Sequence, residues 1–212
     1  DFETAAACLL KGQTVEYLLQ RTWPLKAGET CLFHAAAGGV GLIFGQWARS
    51  IGARVIGTVG SDEKAELARA NGYDEVINYR DENVVERVLE ITGGKKLPVV
   101  YDGVGRDTFD VSLDCLRPRG LMVSFGNASG APGPLDLQVL AQKGSLFITR
   151  PTMMTYTASA KELQKSSNDL FARMLSGAIT VDIKQRYPLR DAARAHRDLE
   201  ARKTTGSSLL LP

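Results

Sequence analysis

The chain has 212 residues, of which 44% are hydrophobic and 24% are charged, as is typical of a globular protein with a sizeable core. The formal net charge of +2 is too small to favour nucleic acid or an anionic membrane as a partner. No apolar run approaches the roughly 20 residues that a membrane helix needs, so we expect no membrane partner.

Short apolar runs alternate with amphipathic segments over the first 150 residues. A leading helix is predicted over 5–19. The strands that follow are predicted at 30–34, 54–59, 75–78, 97–102, 120–125 and 145–149. The helices between them are predicted at 40–51, 62–71, 82–91, 108–116 and 135–142. Repeated strand-helix units of this length predict an α/β fold, a doubly wound parallel sheet of the Rossmann type with the strand order 3-2-1-4-5-6.

The pattern changes after residue 150. Helices are predicted over 161–175 and 190–201, and strands over 180–187 and 207–211. We therefore divide the chain into a dinucleotide-binding domain with its leading helix, 1–150, and flanking C-terminal segments, 151–212. These segments are expected to belong to a second, mostly absent domain.

A glycine-containing turn joins the first predicted strand to the helix that follows it. Ala36, Gly38 and Gly41 match the phosphate-binding fingerprint, with alanine in the first glycine position. The turn must be tight, must let the backbone approach a pyrophosphate, and must let helix and strand touch. Free N–H groups at the helix start then face the diphosphate. The alternative is a glycine-rich turn in an unrelated α/β domain.

The end of the second strand indicates which nucleotide is bound. NAD-preferring sites place Asp or Glu there, whereas this chain reads Thr58-Val-Gly60-Ser61. Ser61, Lys64 and Tyr79 can instead contact a 2′-phosphate, so we predict NADP(H). The alternative for Lys64 is an exposed helix lysine.

Two further polar residues lie close to this edge of the sheet. Asp102 ends the fourth predicted strand and would either bond a ribose or cap the helix near residue 106. His34 is interpreted as a packed strand residue rather than a catalytic one.

The cysteines and histidines do not suggest a metal site. Cys8, Cys31 and Cys115 are odd in number and far apart, and the only histidines are His34 and His196. We predict no metal and three buried, reduced thiols, which suits the cytoplasm.

Motifs along the whole chain resemble one known family. They are His34-Ala-Ala-Ala-Gly-Gly-Val-Gly41, Gly57-Thr-Val-Gly60 with Lys64, Val76-Ile-Asn-Tyr79, Tyr101-Asp-Gly-Val-Gly105, Ser124-Phe-Gly-Asn127, Thr149-Arg-Pro151 and Gly206-Ser-Ser-Leu-Leu. The set resembles the quinone oxidoreductases of the zeta-crystallin branch of the medium-chain dehydrogenases, a zinc-free branch, and most of all its bacterial members.

The resemblance implies an NADPH-dependent enzyme that reduces quinones in a cleft between a GroES-like catalytic domain and the nucleotide domain. That first domain is expected to be missing here, so the chain alone is expected to be inactive. Carried over by position, the implied nicotinamide and phosphate contacts are Thr14, Gly39, Val40, Gly60, Ser61, Lys64, Tyr79, Val104, Phe125, Gly126, Asn127 and Arg202. No catalytic acid or base is indicated.

Two alternative functions remain open, and the sheet edge predicts how the chain assembles. The alternatives are an enone or enoyl reductase on the same scaffold and a non-enzymatic relative that binds NADPH or RNA. The apolar sixth strand at the sheet edge, Ser145 to Thr149, is expected to join a second copy in a homodimer.

Overall fold

The computed structural model describes all residues 1–212, and its centre is a six-stranded parallel sheet. The strands are β1 (Thr30–Phe33), β2 (Arg54–Val59), β3 (Glu75–Asn78), β4 (Leu97–Asp102), β5 (Leu116–Ser124) and β6 (Phe147–Thr149). They lie in the order β3-β2-β1-β4-β5-β6, and every neighbouring pair is parallel. This confirms the predicted fold class and strand order.

Helices cover both faces of the sheet. They are α1 (Phe2–Tyr17), α2 (Gly39–Ile51), α3 (Asp62–Ala70), α4 (Val84–Thr92), α5 (Phe109–Asp114), α6 (Leu137–Gln142), α7 (Met153–Tyr156), α8 (Ala160–Leu175) and α9 (Ala192–Glu200). Successive side chains of a strand point to opposite faces. In β1, Phe33 accordingly joins Phe44 and Trp47 of α2 in the larger core, while Leu32 joins the smaller core on the other face. None of the helices has the length and apolar character needed to cross a membrane.

Strand β5 begins four residues earlier than predicted, and α5 is correspondingly shorter. Leu116 pairs with Leu97, and the register then shifts before Val99. The exposed run Arg117–Arg119 separates Leu116 from the regular part of the strand, and Arg119 has a φ of 61°. A polar Arg-Pro-Arg run is typical of a turn, so the sequence pattern does not predict the start of this strand. The short helix α7 and a π-helical turn, Leu18–Thr22, were also not predicted.

Strand β6 forms the sheet edge as predicted, but it is shorter. The prediction began at Ser145, whose φ of 55° follows a left-handed Gly144 with a φ of 108°. An extended strand cannot run through these two residues, so pairing with β5 is limited to Phe147–Thr149.

The last two strands form a separate sheet. β7 (Ile183–Pro188) and β8 (Ser207–Leu211) pair in parallel with each other. The predicted strand from residue 180 starts three residues late, and Thr180 instead donates its N–H to Gln46 Oε1 of α2 at 2.8 Å. The division of the chain at residue 150 stays a prediction.

All three cysteines are free and buried, as predicted. Burial raises the pKa of Cys115 to about 12, and it raises the pKa of Cys31 even further. At neutral pH these sulfurs are therefore thiols that pack as small apolar groups rather than reactive thiolates.

Candidate functional site

A cavity of about 820 Å³ lies beyond the carboxyl ends of β1, β2 and β4. The strand order reverses between β1 and β4, and ligands of doubly wound sheets bind in the crevice at this point. The loops after all three strands contribute to its wall. The segment after β3 contributes Tyr79 and residues 82–84, and a further part of the wall comes from far along the chain, namely Leu199–Gly206 at the end of α9 and beyond it.

The loop between β1 and α2 brings backbone N–H groups without hydrogen-bond acceptors to the cavity. Gly38 is the N-cap of α2 and has no side chain to cap the helix. The N–H groups of Val40 and Gly41 find no acceptor within the chain. These free donors and the positive end of the helix dipole favour an anion beside Gly38 and Gly39, which line the cavity.

Gly41 lets α2 approach the end of β1 closely. A Cβ built there would lie 2.4 Å from the Ala36 carbonyl oxygen and 2.6 Å from the Ala35 carbonyl oxygen. Both contacts are far shorter than any real Cβ contact, and the backbone cannot swing aside as a side chain can. The third position of the fingerprint is therefore sterically restricted to glycine here.

No carboxylate lies at the tip of β2. Ser61 caps α3 by accepting a hydrogen bond from the Lys64 N–H at 3.4 Å, and Asp62 and Glu63 form the first helical turn. Asp62 accepts a hydrogen bond from Asn78 Nδ2 at 3.1 Å, which turns it toward the end of β3. The acid that would bond an unphosphorylated ribose is thus absent from its usual place.

Cationic groups gather at this end of the cavity. Lys64 Nζ donates to the Arg202 carbonyl oxygen at 2.6 Å, and Arg202 Nη1 donates to the Tyr79 hydroxyl at 3.5 Å. Burial lowers the pKa of Lys64, and the nearby charges of Arg80 and Arg202 lower it further. A lysine crowded by two arginines, with only a carbonyl as its partner, is suited to receive a multiply charged anion.

Asp102 holds the loop between β4 and α5. Its carboxylate is fully buried and accepts hydrogen bonds from the Val104 N–H at 2.8 Å, the Gly105 N–H at 2.9 Å and the Ser112 hydroxyl at 2.7 Å. The Thr108 hydroxyl donates to both of its oxygens. With every lone pair engaged inside the protein, Asp102 organises the loop and α5 rather than bonding a ribose.

His34 lies directly after β1 and is 1% exposed. Its Nδ1 is 2.9 Å from the Thr58 hydroxyl, while Nε2 has no partner. Burial lowers the pKa of His34, against an opposing effect of the Asp102 carboxylate, so the ring is neutral at pH 7. This environment fits the interpretation of a packed strand histidine.

Seven of the fifteen residues predicted for the site line the cavity. They are Gly38, Gly39, Gly60, Lys64, Tyr79, Val104 and Arg202. They come from five separate parts of the chain, and the fold alone brings them together.

The other eight lie outside the cavity wall. Ala36, Val40 and Gly41 shape the turn behind Gly38, and Ser61 caps α3. Thr14 lies on α1 and donates to the Leu10 carbonyl oxygen at 2.8 Å. The remaining three follow β5: the Phe125 ring packs 5.6 Å from that of Phe33, the Gly126 carbonyl accepts from Arg150, and the Asn127 carbonyl accepts from Gly130.

Several cavity residues were not predicted from the sequence. They are Ala35, Ala37, Thr58, Val59, Glu82, Asn83, Val84, Asp107, Thr108, Val111, Ala128, Leu199, Glu200, Thr204 and Gly206, together with His34. Glu82 to Val84 lie between the end of β3 and the start of α4, so their position was available from the predicted topology. Nothing in the sequence placed Thr204 and Gly206 there, because they reach the cavity through the N–H of Gly206, which donates to the Ala37 carbonyl oxygen at 3.0 Å.

Comparison with known proteins gives one family. A family model described as zinc-binding dehydrogenase matches residues 39–170. A quinone oxidoreductase of Pseudomonas aeruginosa is 57% identical over 212 residues, which cover 100% of this chain and 65% of that protein. A 2-haloacrylate reductase from Burkholderia sp is 47% identical over 208 residues, covering 98% of this chain and 62% of that protein.

A solved structure extends the comparison. The Escherichia coli quinone oxidoreductase, crystallised with NADPH, superposes with a TM-score of 0.98 at 58% identity, over 100% of this chain and 66% of that chain. The chain therefore spans about two thirds of the length of the relatives it matches.

The description of the family model names zinc, but the residues of this chain do not fit that metal. No group of three or more His, Cys, Asp or Glu side chains could hold a metal ion. The three thiols are separately buried, and the buried His34 bonds the Thr58 hydroxyl through Nδ1.

Proposed function

The chain belongs to the zinc-binding dehydrogenase family, and we propose that it is the NADPH-binding part of a quinone reductase. The observation that carries the proposal is one cavity with free N–H groups at the start of α2 and, at its other end, Lys64 and Arg202 without an acid at the tip of β2. A dinucleotide with a pyrophosphate and a 2′-phosphate matches both ends. The relatives named quinone oxidoreductase support the choice of cofactor and substrate class.

The residues fit NADPH in a definite order along the cavity. Gly38, Gly39 and the N-terminus of α2 would receive the pyrophosphate. Lys64, Tyr79 and Arg202 would hold the 2′-phosphate, with Gly60 leaving room beside Tyr79. NADPH, when bound, supplies the hydride, while the protein binds it, orients it and excludes water.

A second substrate class is favoured by one specific observation. The 47% identical relative is named as a reductase of 2-haloacrylate, an α,β-unsaturated acid. Hydride delivery to an activated C=C bond requires the same cofactor position as delivery to a quinone. NADPH oxidation measured in parallel with benzoquinones and with α,β-unsaturated acids and ketones decides between the two.

The test of the proposal pairs binding with turnover. We expect calorimetric titration of this chain with NADPH to show one site. The relatives carry about a third of their length outside the matched part, and positioning of two reactants accounts for roughly 7–11 kcal/mol of a barrier. We therefore expect these 212 residues to bind NADPH but to reduce quinones poorly. Absence of NADPH binding would contradict the proposed function, and rapid turnover would show that the catalytic groups lie within this chain.

Lys64→Ala should weaken NADPH but not NADH. A hydrogen bond to a charged group contributes about 1.5–3 kcal/mol, so we expect the Kd for NADPH to rise by roughly 10- to 100-fold. NADH has no 2′-phosphate and should change little. Calorimetry with both nucleotides checks this, with Lys161→Ala on the exposed part of α8 as the matched control. Equal losses for the two nucleotides would mean that Lys64 does not contact the 2′-phosphate.

We also propose a homodimer joined through β6. This strand lies at the open edge of the sheet, and the Phe147 side chain on it is 61% exposed. An uncovered edge pairs readily with another strand, and a second copy offers an identical edge for two-fold pairing. Light scattering at micromolar concentration should give a dimer, and Phe147→Glu a monomer. A monomeric parent chain would contradict this assembly.

The free cysteines and the net charge bear on the compartment and on nucleic-acid binding. We propose that the protein acts in the cytoplasm, because its three buried thiols are free. A nucleic-acid-binding role has little support from a net charge of +2, and a salt-dependent RNA titration would reveal one.

A further inference from the structure

Arg202 is held by an internal carboxylate as well as by Tyr79. Its Nη2 lies 3.1 Å from Asp107 Oδ2, and this ion pair raises the pKa of Arg202. Asp107 follows β4, two residues beyond the loop positions that Asp102 fixes, and its own N–H donates to the Ser129 hydroxyl at 3.0 Å. Both Asp107 and Arg202 line the cavity. The arginine that would meet a phosphate is therefore already paired with a carboxylate.

Asp107 is distinct from the other acids of the cavity. Glu82 and Glu200 also line it, but neither is ion-paired with Lys64 or Arg202, and Glu82 is paired with Arg87 at 2.8 Å. The second oxygen of Asp107 lies 3.4 Å from Nε of Arg106, which is largely exposed and outside the cavity wall. Asp107 is thus the carboxylate that competes directly for the cationic end of the cavity.

We propose that Asp107 limits the preference for NADPH over NADH: its carboxylate occupies Arg202, and a doubly charged phosphate must take this arginine over before it can bind. The inference rests on the proposed function, because it concerns the 2′-phosphate end of the same site. A ribose hydroxyl is uncharged and cannot displace a carboxylate from a guanidinium. A phosphate monoester carries between −1.5 and −2 charges near neutral pH and accepts hydrogen bonds through three oxygens, so it competes effectively.

This arrangement has a measurable cost for NADPH. The phosphate must take over Arg202 from Asp107 and then lie near the released carboxylate. Asp107→Asn removes both penalties while keeping a side chain of the same size. Exposed ion pairs contribute modestly, so we expect the Kd for NADPH to fall about two- to fivefold, and the Kd for NADH to stay unchanged.

The experiment compares four chains by calorimetry with NADPH and NADH. They are the parent chain, Asp107→Asn, the matched control Asp114→Asn and the double variant Asp107→Asn with Arg202→Gln. Asp114 is ion-paired with Lys143 at the end of α5, away from the cavity, so its variant makes the same charge change at a distant site. Tighter NADPH binding by Asp107→Asn alone, and no such gain in the Arg202→Gln background, is the expected result.

Three outcomes would overturn the inference. Weaker NADPH binding by Asp107→Asn would mean that the carboxylate orients Arg202 toward the phosphate. Weaker binding of NADH as well would mean that it bonds a ribose hydroxyl. An equal gain in NADPH affinity for Asp114→Asn would mean that the effect depends only on the net charge of the protein. If the parent chain binds no NADPH, the proposed function itself fails, and this result is separate from all three.

Discussion

Gly41→Ala should abolish most nucleotide binding and destabilise the fold. The added methyl would lie 2.4 Å from the Ala36 carbonyl oxygen, so the first turn of α2 must move away from β1. The free N–H groups of residues 40 and 41 move with it, and they are the donors proposed for the pyrophosphate. We expect the Kd for NADPH to rise by about 100-fold or more, which corresponds to roughly 3 kcal/mol.

The stability effect of Gly41→Ala has an informative sign. Alanine in a helix is normally favoured over glycine by roughly 0.5–1 kcal/mol. Overpacking at this site should reverse that preference and lower the free energy of unfolding by about 1–3 kcal/mol. Gly133→Ala is the matched control, because a Cβ at Gly133 meets no heavy atom within 4 Å. Denaturant titration and calorimetry measure both effects, and a stabilised Gly41→Ala that binds NADPH normally would refute the role assigned to this contact.

Asp102→Ala is expected to be the most destabilising single change considered. It leaves the buried Gly105 N–H and Ser112 hydroxyl, and the partly buried Val104 N–H, without their acceptor, while the Thr108 hydroxyl keeps only the Gly105 carbonyl oxygen. Each unsatisfied buried donor costs about 1–3 kcal/mol, and local relaxation recovers part of the sum. We expect the free energy of unfolding to fall by about 3–5 kcal/mol.

A graded series separates this effect from the mere loss of a charge. Asp102→Asn keeps one oxygen acceptor and should fall between the parent and alanine. Asp136→Ala removes an exposed N-cap carboxylate that bonds only the Gln138 N–H, so about 1 kcal/mol is expected there. Urea denaturation of the three variants gives the comparison. Similar losses for Asp102→Ala and Asp136→Ala would show that the buried network adds little.

The sheet was predictable because its signals are local. Four apolar runs bounded by glycine or charged residues became β1 to β4 with almost unchanged limits. The start of β5 was not predictable in this way, since Leu116 pairs with Leu97 across a register shift that only the tertiary structure supplies. Likewise Ser145 was assigned to β6 on its apolar neighbours, whereas its positive φ excludes it.

The candidate site was predictable in part for the same reason. The turn at Gly38 and the absence of an acidic residue after β2 can each be recognised from a short stretch of sequence. Asp107 was overlooked because its importance comes from Arg202, 95 residues away. The choice between a ribose ligand and a helix cap for Asp102 also needed the structure, since it depends on the hydroxyls of Thr108 and Ser112.

The segment after α9 gives the cavity a late step in folding. Ser207 bonds the Ala7 carbonyl oxygen across 200 residues of sequence, and Lys64 bonds the Arg202 carbonyl oxygen across 138. Contacts of such high sequence separation form slowly, and on the ribosome they form only after the last of these residues has emerged. The sheet and the α2 turn can therefore assemble on a nascent chain whose phosphate-binding end is still incomplete.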